Sequence, residues 1–215
     1  MEKIIHQIWI GPYKLPHRER GFIDKIKSHQ TDFTHMMWDN SNLPELPSEI
    51  KHIYDFLGER KDYAHQADIL RVFLVEKFGG VYMDVDFEYL GGLSSFNLEN
   101  YDAFFCTHFG DVDTFPNGIF GASKGHSIMR YLLNDAMKSF PSRYWYGPSW
   151  FGNLLKQYFN VTGKISHGEM ANEYLTPNNI FHINYDLFHD RYYFHHALYS
   201  WSPENRKKFE LGKYE

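Results

Sequence analysis

One short segment constrains the fold more than any other part of the chain. Apolar residues recur on one side of a predicted helix over Asp62–Phe78, for which Asp62 is the expected N-cap. The helix runs into Gly79-Gly80, and glycine tolerates the positive φ angles at which helices often end. Val81-Tyr82-Met83 then predicts a short strand, which stops in the polar sequence Asp84-Val85-Asp86. A helix that leads through a tight turn into an apolar strand is typical of an α/β domain.

The same alternation of strands and helices continues through the rest of the sequence. Further strands are predicted over Lys3–Ile10, Phe33–Trp38, Asp102–Thr107 and Gly118–Ala122. Further helices are predicted over Arg18–His29, Ser48–Leu57, His126–Phe140 and Trp150–Phe159, with Ser48 as the cap of its helix. The length of 215 residues fits one domain. We therefore predict a single α/β domain over residues 1–215, with a mostly parallel central sheet flanked by helices.

Composition and charge exclude several classes of protein. The 22 Lys and Arg residues against 27 Asp and Glu residues give a net charge of −5, which argues against a nucleic-acid partner held by phosphate neutralisation. The single cysteine, Cys106, excludes a disulfide framework and a multi-cysteine zinc site, and its apolar neighbours predict a buried thiol. No apolar stretch approaches the ~18 residues of a membrane span, and no signal peptide is visible. We expect a cytoplasmic protein, or a domain of a longer chain.

The pair Asp84 and Asp86 is the first candidate site. Two carboxylates just beyond a strand can converge on one cation if the chain bends between them, and Mg²⁺ or Mn²⁺ prefers such oxygen ligands. Ligands of parallel sheets bind beyond the carboxyl ends of the strands, which is where this pair and Gly11 are expected. The alternative interpretation is a solvated turn.

Three further groups are candidates, each with a structural alternative. Asp68 and Arg71 lie three residues apart on the predicted helix and share a face, either as an ion pair or as groups that hold hydroxyls in a pocket. Trp9 lies at the end of the first predicted strand and fits either the core or a stacking surface. His195, Ser200 and Trp201 in the aromatic tail carry groups that can bind a metal or a phosphate.

Together these residues resemble a known family of enzymes. The chain is similar to DXD-containing sugar transferases of the GT-A fold, in particular a group that includes capsular-polysaccharide transferases and is related to the catalytic domains of large clostridial toxins. The blocks that carry the resemblance are, in order, Lys3–Gly11, Ala67–Arg71, Gly79–Asp86, Asn117–Ala122, Gly147-Pro148, and His195-His196 with Ser200-Trp201. The resemblance implies a GT-A domain that moves a sugar from a nucleotide-diphosphate donor, such as UDP-glucose, to a glycan acceptor.

The resemblance also implies which residues hold the nucleotide and the sugar. Trp9 would stack on the uracil. Asp68 and Arg71 would bind the hydroxyls of the donor sugar, and Asp68 would also act in catalysis. Further contacts to the donor are implied for Gln7, Ile8, Tyr82 and Val85.

A second set of residues is implied to act on the diphosphate. Asp84 and Asp86 would hold Mn²⁺ or Mg²⁺, with Asp86 as the direct ligand, and would be catalytic in that sense. His195 would complete the metal shell, although the adjacent His196 is a contender. Ser200 and Trp201 would bind the β-phosphate.

The implied reaction breaks the anomeric C–O bond, and a divalent cation would neutralise the charge that develops on the leaving group. The resemblance favours retention of anomeric configuration. Two alternatives stay open: a protein that binds nucleotide sugars or carbohydrates without turnover, and a phosphatase of the haloacid-dehalogenase type, which also places Asp-x-Asp after a strand. The aromatic stretches Tyr144–Pro148 and Tyr192–Phe194 fit either an acceptor platform or core packing.

Overall fold

A six-stranded sheet organises the part of the chain that the structure describes. This structure is a computed structural model, and it describes residues 1–96, 98–107, 115–159, 180–184 and 193–195. The strands are β1 (Ile4–Ile8), β2 (Thr34–Trp38), β3 (Gly80–Met83), β5 (Ala103–Thr107), β6 (Ile119–Ala122) and β7 (Ile180–Asn184), in the order β2-β1-β3-β6-β5-β7. Only β6 is antiparallel to its neighbours within this sheet. The prediction of a mostly parallel sheet is therefore confirmed.

Five helices and a small ribbon accompany the sheet in the described residues. The helices are α1 (His17–His29), α2 (Ser48–Glu59), α3 (Tyr63–Phe78), α4 (Ser127–Ser139) and α5 (Pro148–Tyr158). The ribbon pairs β4 (Phe87–Tyr89) with β8 (Tyr193–His195) in antiparallel register. Each strand and helix predicted from the sequence is present, with ends shifted by a few residues. Among these described helices, none combines the length and the apolar character that crossing a membrane would require.

The core has two layers, one on each face of the sheet. Along β3, Val81 and Met83 belong to one apolar cluster and Tyr82 to the other, as the two-residue period of a strand requires. Cys106 is fully buried in the first of these clusters, which confirms the predicted buried thiol. Burial raises the pKa of this thiol, so it stays protonated and chemically inert.

Helix α3 is buried almost all round. We expected one apolar face, but every residue from Asp68 to Val75 is buried. The reason is that α3 packs against β1 and β3 while α2 and α4 cover its other sides. As a consequence, the polar side chains of Asp68 and Arg71 lie inside the protein and must find partners there.

The ends of α2 and α3 differ in how well the sequence predicted them. Asp62 caps α3 as expected, because its side chain accepts a hydrogen bond from the backbone N–H of His65 (3.4 Å). The prediction for Ser48 was wrong: Pro47 occupies the cap position of α2, and the Ser48 hydroxyl donates to the neighbouring Glu49 carboxylate (2.8 Å). Proline before the first turn supplies the extended φ, ψ pair from which a helix can start.

The turn between α3 and β3 fixes the position of the strand. Gly79 and Gly80 have φ angles of 70° and 97°, and a Cβ on Gly80 would lie 2.5 Å from the Ile4 carbonyl oxygen. Glycine is therefore required at Gly80 both for its backbone angle and for its close approach to β1. The ring of His6 on β1 donates from Nε2 to the Gly79 carbonyl (2.8 Å) and accepts from the Trp38 indole N–H (3.0 Å). These bonds tie β1, β2 and the turn together.

Candidate functional site

Polar side chains gather at the carboxyl ends of β1 and β3, on a wall formed by α3. We call this group the polar cluster, and its members are Asp68, Arg71, Tyr82, Asp84 and Asn117. The sequence predicted the convergence of four of these residues. All five side chains contact at least one other member, so the cluster is one connected network.

Arg71 is the centre of the polar cluster. Its Nη1 donates to the carbonyl oxygen of Asn117 (2.7 Å), and its Nη2 lies 3.1 Å from Asp68 Oδ1 and 3.4 Å from Asp84 Oδ1. The guanidinium also lies 4.5 Å from the centre of the Tyr82 ring. Burial alone would lower the pKa of Arg71, but electrostatic interactions with Asp84, Tyr82, Asp68 and Asp86 together raise it. The cation is therefore permanent, and it compensates several carboxylates at once.

Asp68 is a buried carboxylate of the polar cluster. Its Oδ1 accepts from the Asn117 side-chain amide (2.8 Å) and forms an ion pair with Arg71 Nη2 (3.1 Å). Burial raises the pKa of Asp68 to about 6, although the positive charge of Arg71 alone would lower it. Desolvation outweighs the ion pair here, so folding makes ionisation of Asp68 less favourable.

The raised pKa of Asp68 predicts a pH dependence of stability. From about pH 4 to about pH 6 the folded protein keeps a proton on Asp68 that the unfolded chain has released, so stability falls as the pH rises through this range. A shift of about two units corresponds to up to ~3 kcal/mol. We expect the free energy of unfolding of the wild type, relative to that of Asp68→Asn, to decrease by up to ~3 kcal/mol between pH 4 and pH 7. Urea titrations in the presence of EDTA measure this difference. A difference that is constant with pH would contradict the raised pKa.

Asp84 and Asp86 flank the turn that follows β3. The chain bends here, with the Phe87 N–H within 3.5 Å of the Asp84 carbonyl, as convergence on one ligand requires. Asp84 is 27% exposed at its side chain and accepts from the Tyr82 hydroxyl (2.5 Å), whereas Asp86 is only 6% exposed and Val85 between them is buried. The charge of Asp86 also acts on Arg71.

The donor set around this turn fits a hard divalent cation. Three carboxylates, those of Asp68, Asp84 and Asp86, surround the single guanidinium of Arg71, so the ionised group has an excess of two negative charges. Carboxylate oxygens are the ligands that Mg²⁺ and Mn²⁺ prefer. Within the described side chains no group of three or more His, Cys, Asp or Glu residues is arranged to hold a metal ion, and Mg²⁺ is commonly bound by one or two carboxylates together with water and substrate phosphates.

The predicted nucleotide residues of β1 lie beside this turn. The Gln7 side chain is buried and donates to the Asp84 carbonyl oxygen (3.4 Å). The Ile8 side chain belongs to the hydrophobic core, so any contact it makes with a ligand would be through its backbone. Trp9 is half-buried, and its indole N–H donates to the Tyr13 carbonyl (2.9 Å). This bond holds the ring in place at the carboxyl end of β1.

One part of the predicted closing block is described. The backbone of β8 pairs with β4 so that His195 lies opposite Phe87, the residue after Asp86. A segment more than a hundred residues further along the chain is thereby brought next to the carboxylate pair. The other predicted residues of this block, His196, Ser200 and Trp201, lie outside the described residues.

Asn117 is the member of the polar cluster that the sequence did not predict. It is buried, and it holds the Asp68–Arg71 pair from both sides through its amide and its carbonyl. The next residue, Gly118, accepts from the Asp84 N–H (2.8 Å). Asn117 stands just before a strand that pairs with β3, which is the signal that could have identified it.

The sequence matches a family model over residues 16–103, described as a glycosyltransferase sugar-binding region containing a DXD motif. This range includes α3, β3 and the Asp84-Val85-Asp86 turn. The chain is also 28% identical to an uncharacterised glycosyltransferase of Acanthamoeba polyphaga mimivirus over an alignment of 234 positions. This alignment covers 98% of this chain and 88% of that protein.

Two solved structures share the fold. One is the PaToxG glycosyltransferase, with a TM-score of 0.61 and 18% identity over 73% of this chain and 69% of that one. The other is the UDP-bound glycosyltransferase domain from the YGT toxin, with a TM-score of 0.50 and 12% identity over 80% of this chain and 66% of that one. The predicted GT-A fold is confirmed. The family match, the viral relative and the shared fold together support a glycosyltransferase of the DXD type.

Proposed function

We propose that the protein transfers a sugar from a nucleotide-diphosphate donor, a UDP-sugar such as UDP-glucose, to a hydroxyl of a glycan acceptor, with Mn²⁺ or Mg²⁺ as cofactor. The observation that carries this proposal is the bent Asp84-Val85-Asp86 turn beside the buried Asp68–Arg71 pair. The proposal is supported because carboxylate oxygens, which suit a cation, lie there beside groups that can hold hydroxyls. The glycosyltransferase family match and the UDP in the YGT toxin structure favour this function over a phosphatase.

The proposed reaction exchanges one bond at the anomeric carbon for another. The bond from this carbon to the diphosphate oxygen breaks, and its electron pair stays on the nucleoside diphosphate. The acceptor oxygen forms the new bond, and its hydroxyl proton is released to the leaving diphosphate or to buffer. The divalent cation, when bound, supplies the positive charge that stabilises the departing diphosphate.

The residues of this chain have distinct roles in the proposal. Asp84 and Asp86 hold the cation, with Asp86 as the direct ligand and His195 or His196 completing the shell. Asp68 accepts hydrogen bonds from the donor sugar, and Arg71 positions the carboxylates and compensates their charge. We place the closing contacts to the diphosphate on Ser200 and Trp201.

Three further features belong to the same proposal. We propose retention of anomeric configuration, because the only resemblance that bears on stereochemistry favours it. We also propose that residues 1–215 act as one domain and that the protein works in the cytoplasm, in the host cytoplasm if its source is a virus.

The alternative is a protein that binds the nucleotide sugar without turnover. Calorimetric titration with UDP, GDP and UDP-glucose, with and without Mn²⁺, tests the donor site, and release of UDP from UDP-glucose tests turnover. We expect UDP to bind in the micromolar range only when the metal is present. Tight binding with no UDP release, alone or with saccharide acceptors, would favour the alternative, and an absence of nucleotide binding would overturn the donor site.

Trp9→Ala is expected to weaken UDP binding by roughly 5- to 150-fold. Stacking of a base on an aromatic ring contributes about 1–3 kcal/mol per base in proteins that bind single-stranded nucleic acids. The Trp9 ring is held in place by its hydrogen bond to the Tyr13 carbonyl. Trp9→Phe should retain most of the affinity, since a ring remains. The measurement is the dissociation constant of UDP at saturating Mn²⁺. Equal affinities of the wild type and Trp9→Ala would show that the base binds elsewhere.

A further inference from the structure

A cleft separate from the polar cluster opens on the surface near the start of α3. It has a volume of about 460 Å³ and is lined by Arg60, Asp62, His65, Tyr144 and Trp145. The first three residues come from the α2–α3 connection and the first turn of α3, and the other two from the connection between α4 and α5. The donor site proposed above uses none of these five residues.

Trp145 gives the cleft an apolar surface that faces solvent. The side chain is 65% exposed, whereas Tyr146, the next residue, is fully buried in the core. Within the described residues, only Leu90, at 46%, is another large hydrophobic side chain with such exposure. Tryptophan is enriched at binding interfaces, because its side chain combines a large apolar face with a polar edge.

The neighbouring side chains make the wall beside Trp145 rigid. The Arg60 guanidinium carbon lies 4.0 Å from the centre of the Phe56 ring and 5.8 Å from that of Tyr144. The Tyr144 ring in turn meets Phe56 edge-on (5.4 Å) and Trp145 nearly at right angles (6.0 Å). A chain of contacting rings therefore runs from the core to the exposed indole and positions the guanidinium at the cleft.

The charges in the cleft favour a neutral ligand with many hydroxyls. Asp62 Oδ2 lies 2.8 Å from His65 Nδ1, so the acid has an internal partner, and the cation of Arg60 lies over aromatic rings. With His65 neutral, the one cation of the lining, Arg60, is balanced by the one acid, Asp62, so these five residues give no net positive charge that would select a phosphate. A saccharide matches this surface, because its C–H faces pack on rings while its hydroxyls bond to carboxylate, imidazole and guanidinium groups.

The cleft adjoins the proposed position of the donor sugar. His65 and Asp68 lie three residues apart on the same side of α3 and interact electrostatically. On the other side, a Cβ on Gly147 would lie 3.7 Å from Asp68 Oδ2, and Gly147 is two residues from Trp145. Both walls of the cleft therefore continue to the carboxylate that we assign to the donor sugar.

We propose that this cleft is the acceptor subsite, and that it binds a neutral saccharide unit of the glycan with Trp145 as the stacking platform. The inference rests on the proposed function and deepens it, because it names the surface and the chemical class of the second substrate. Of the aromatic stretch Tyr144–Pro148, Trp145 and Tyr144 line the cleft while Tyr146 packs in the core.

The test measures saccharide binding separately from donor binding. Saturation-transfer NMR with methyl glycosides of glucose, galactose, mannose and xylose, and with maltose and cellobiose, is run on the wild type in the presence of UDP and Mg²⁺, because paramagnetic Mn²⁺ would broaden the ligand signals. The variants are Trp145→Ala, Trp145→Phe, and Leu90→Ala as the matched control, because Leu90 is the other large apolar side chain exposed in the described part of the chain and does not line the cleft. UDP affinity is measured by calorimetry on the same samples, and circular dichroism checks that each variant is folded.

We expect at least one of these saccharides to bind the wild type and Leu90→Ala equally. Trp145→Ala should weaken that binding at least tenfold, and Trp145→Phe should restore most of it. Equal binding by Trp145→Ala, or no binding of any of these saccharides to a wild type that binds UDP, would overturn the cleft inference alone. A wild type that fails to bind UDP with Mn²⁺ would instead overturn the proposed function.

Discussion

Asparagine in place of Asp86 is expected to abolish metal-dependent UDP binding and to reduce sugar transfer by about 10²–10³-fold. Losing one group that stabilises developing charge typically costs this much in rate. Asp86 is only 6% exposed at the turn after β3. A mobile surface side chain therefore cannot easily take the place of its carboxylate. Asparagine has the same shape, and the variant should therefore fold while it lacks the negative charge that attracts the cation.

The matched control for this variant is Asp24→Asn. Asp24 is an exposed acid on α1, so this substitution removes the same charge far from β3 in the sequence and should leave UDP affinity and transfer unchanged. The measurements are UDP affinity with Mn²⁺ and with EDTA, and initial rates of UDP release. If Asp86→Asn bound UDP with the same metal dependence as Asp24→Asn, then the cation would not be held by this carboxylate.

The segment from α3 to Asp86 could be predicted because its signals are local. The cap at Asp62, the glycine pair and the apolar strand are each encoded by neighbouring residues, and the structure has each of them in place. The carboxylate pair follows directly from that order. Sequence spacing also put Asp68 and Arg71 on one face of α3, which is correct, although their burial follows from packing by α2 and α4.

The features that the sequence did not predict depend on contacts between distant segments. Asn117 joins the polar cluster only because β6 pairs with β3, and the short strand β4 exists only through its pairing with β8. Nothing within three residues of Phe87–Tyr89 carries that information. Exposure is equally non-local: Trp145 and Tyr146 are adjacent aromatic residues, yet one faces solvent and the other is in the core.

Arg71 links the stability of the fold to the candidate site. It is buried on α3 and compensates Asp68 and Asp84, while its Nη1 satisfies the carbonyl oxygen of Asn117. Removing one partner from a buried ionic network leaves the other charges uncompensated, which costs more than the network itself contributes. The same side chain therefore supports both folding and the alignment of the carboxylates.

Arg71→Met is accordingly expected to lower the free energy of unfolding by about 3–5 kcal/mol at pH 8, and to abolish UDP binding. The loss should shrink towards pH 5, because Asp68, whose pKa burial already raises to about 6, then takes up a proton and one uncompensated charge disappears. Arg71→Lys keeps the charge but cannot reach all partners of the guanidinium. Its free energy of unfolding should therefore lie between those of the wild type and Arg71→Met. Urea titrations at both pH values, with the exposed Arg20→Met as control, measure the effect. If Arg71→Met were as stable as Arg20→Met at pH 8, the polar cluster would contribute nothing to the fold, and the carboxylates would be held in place by other groups.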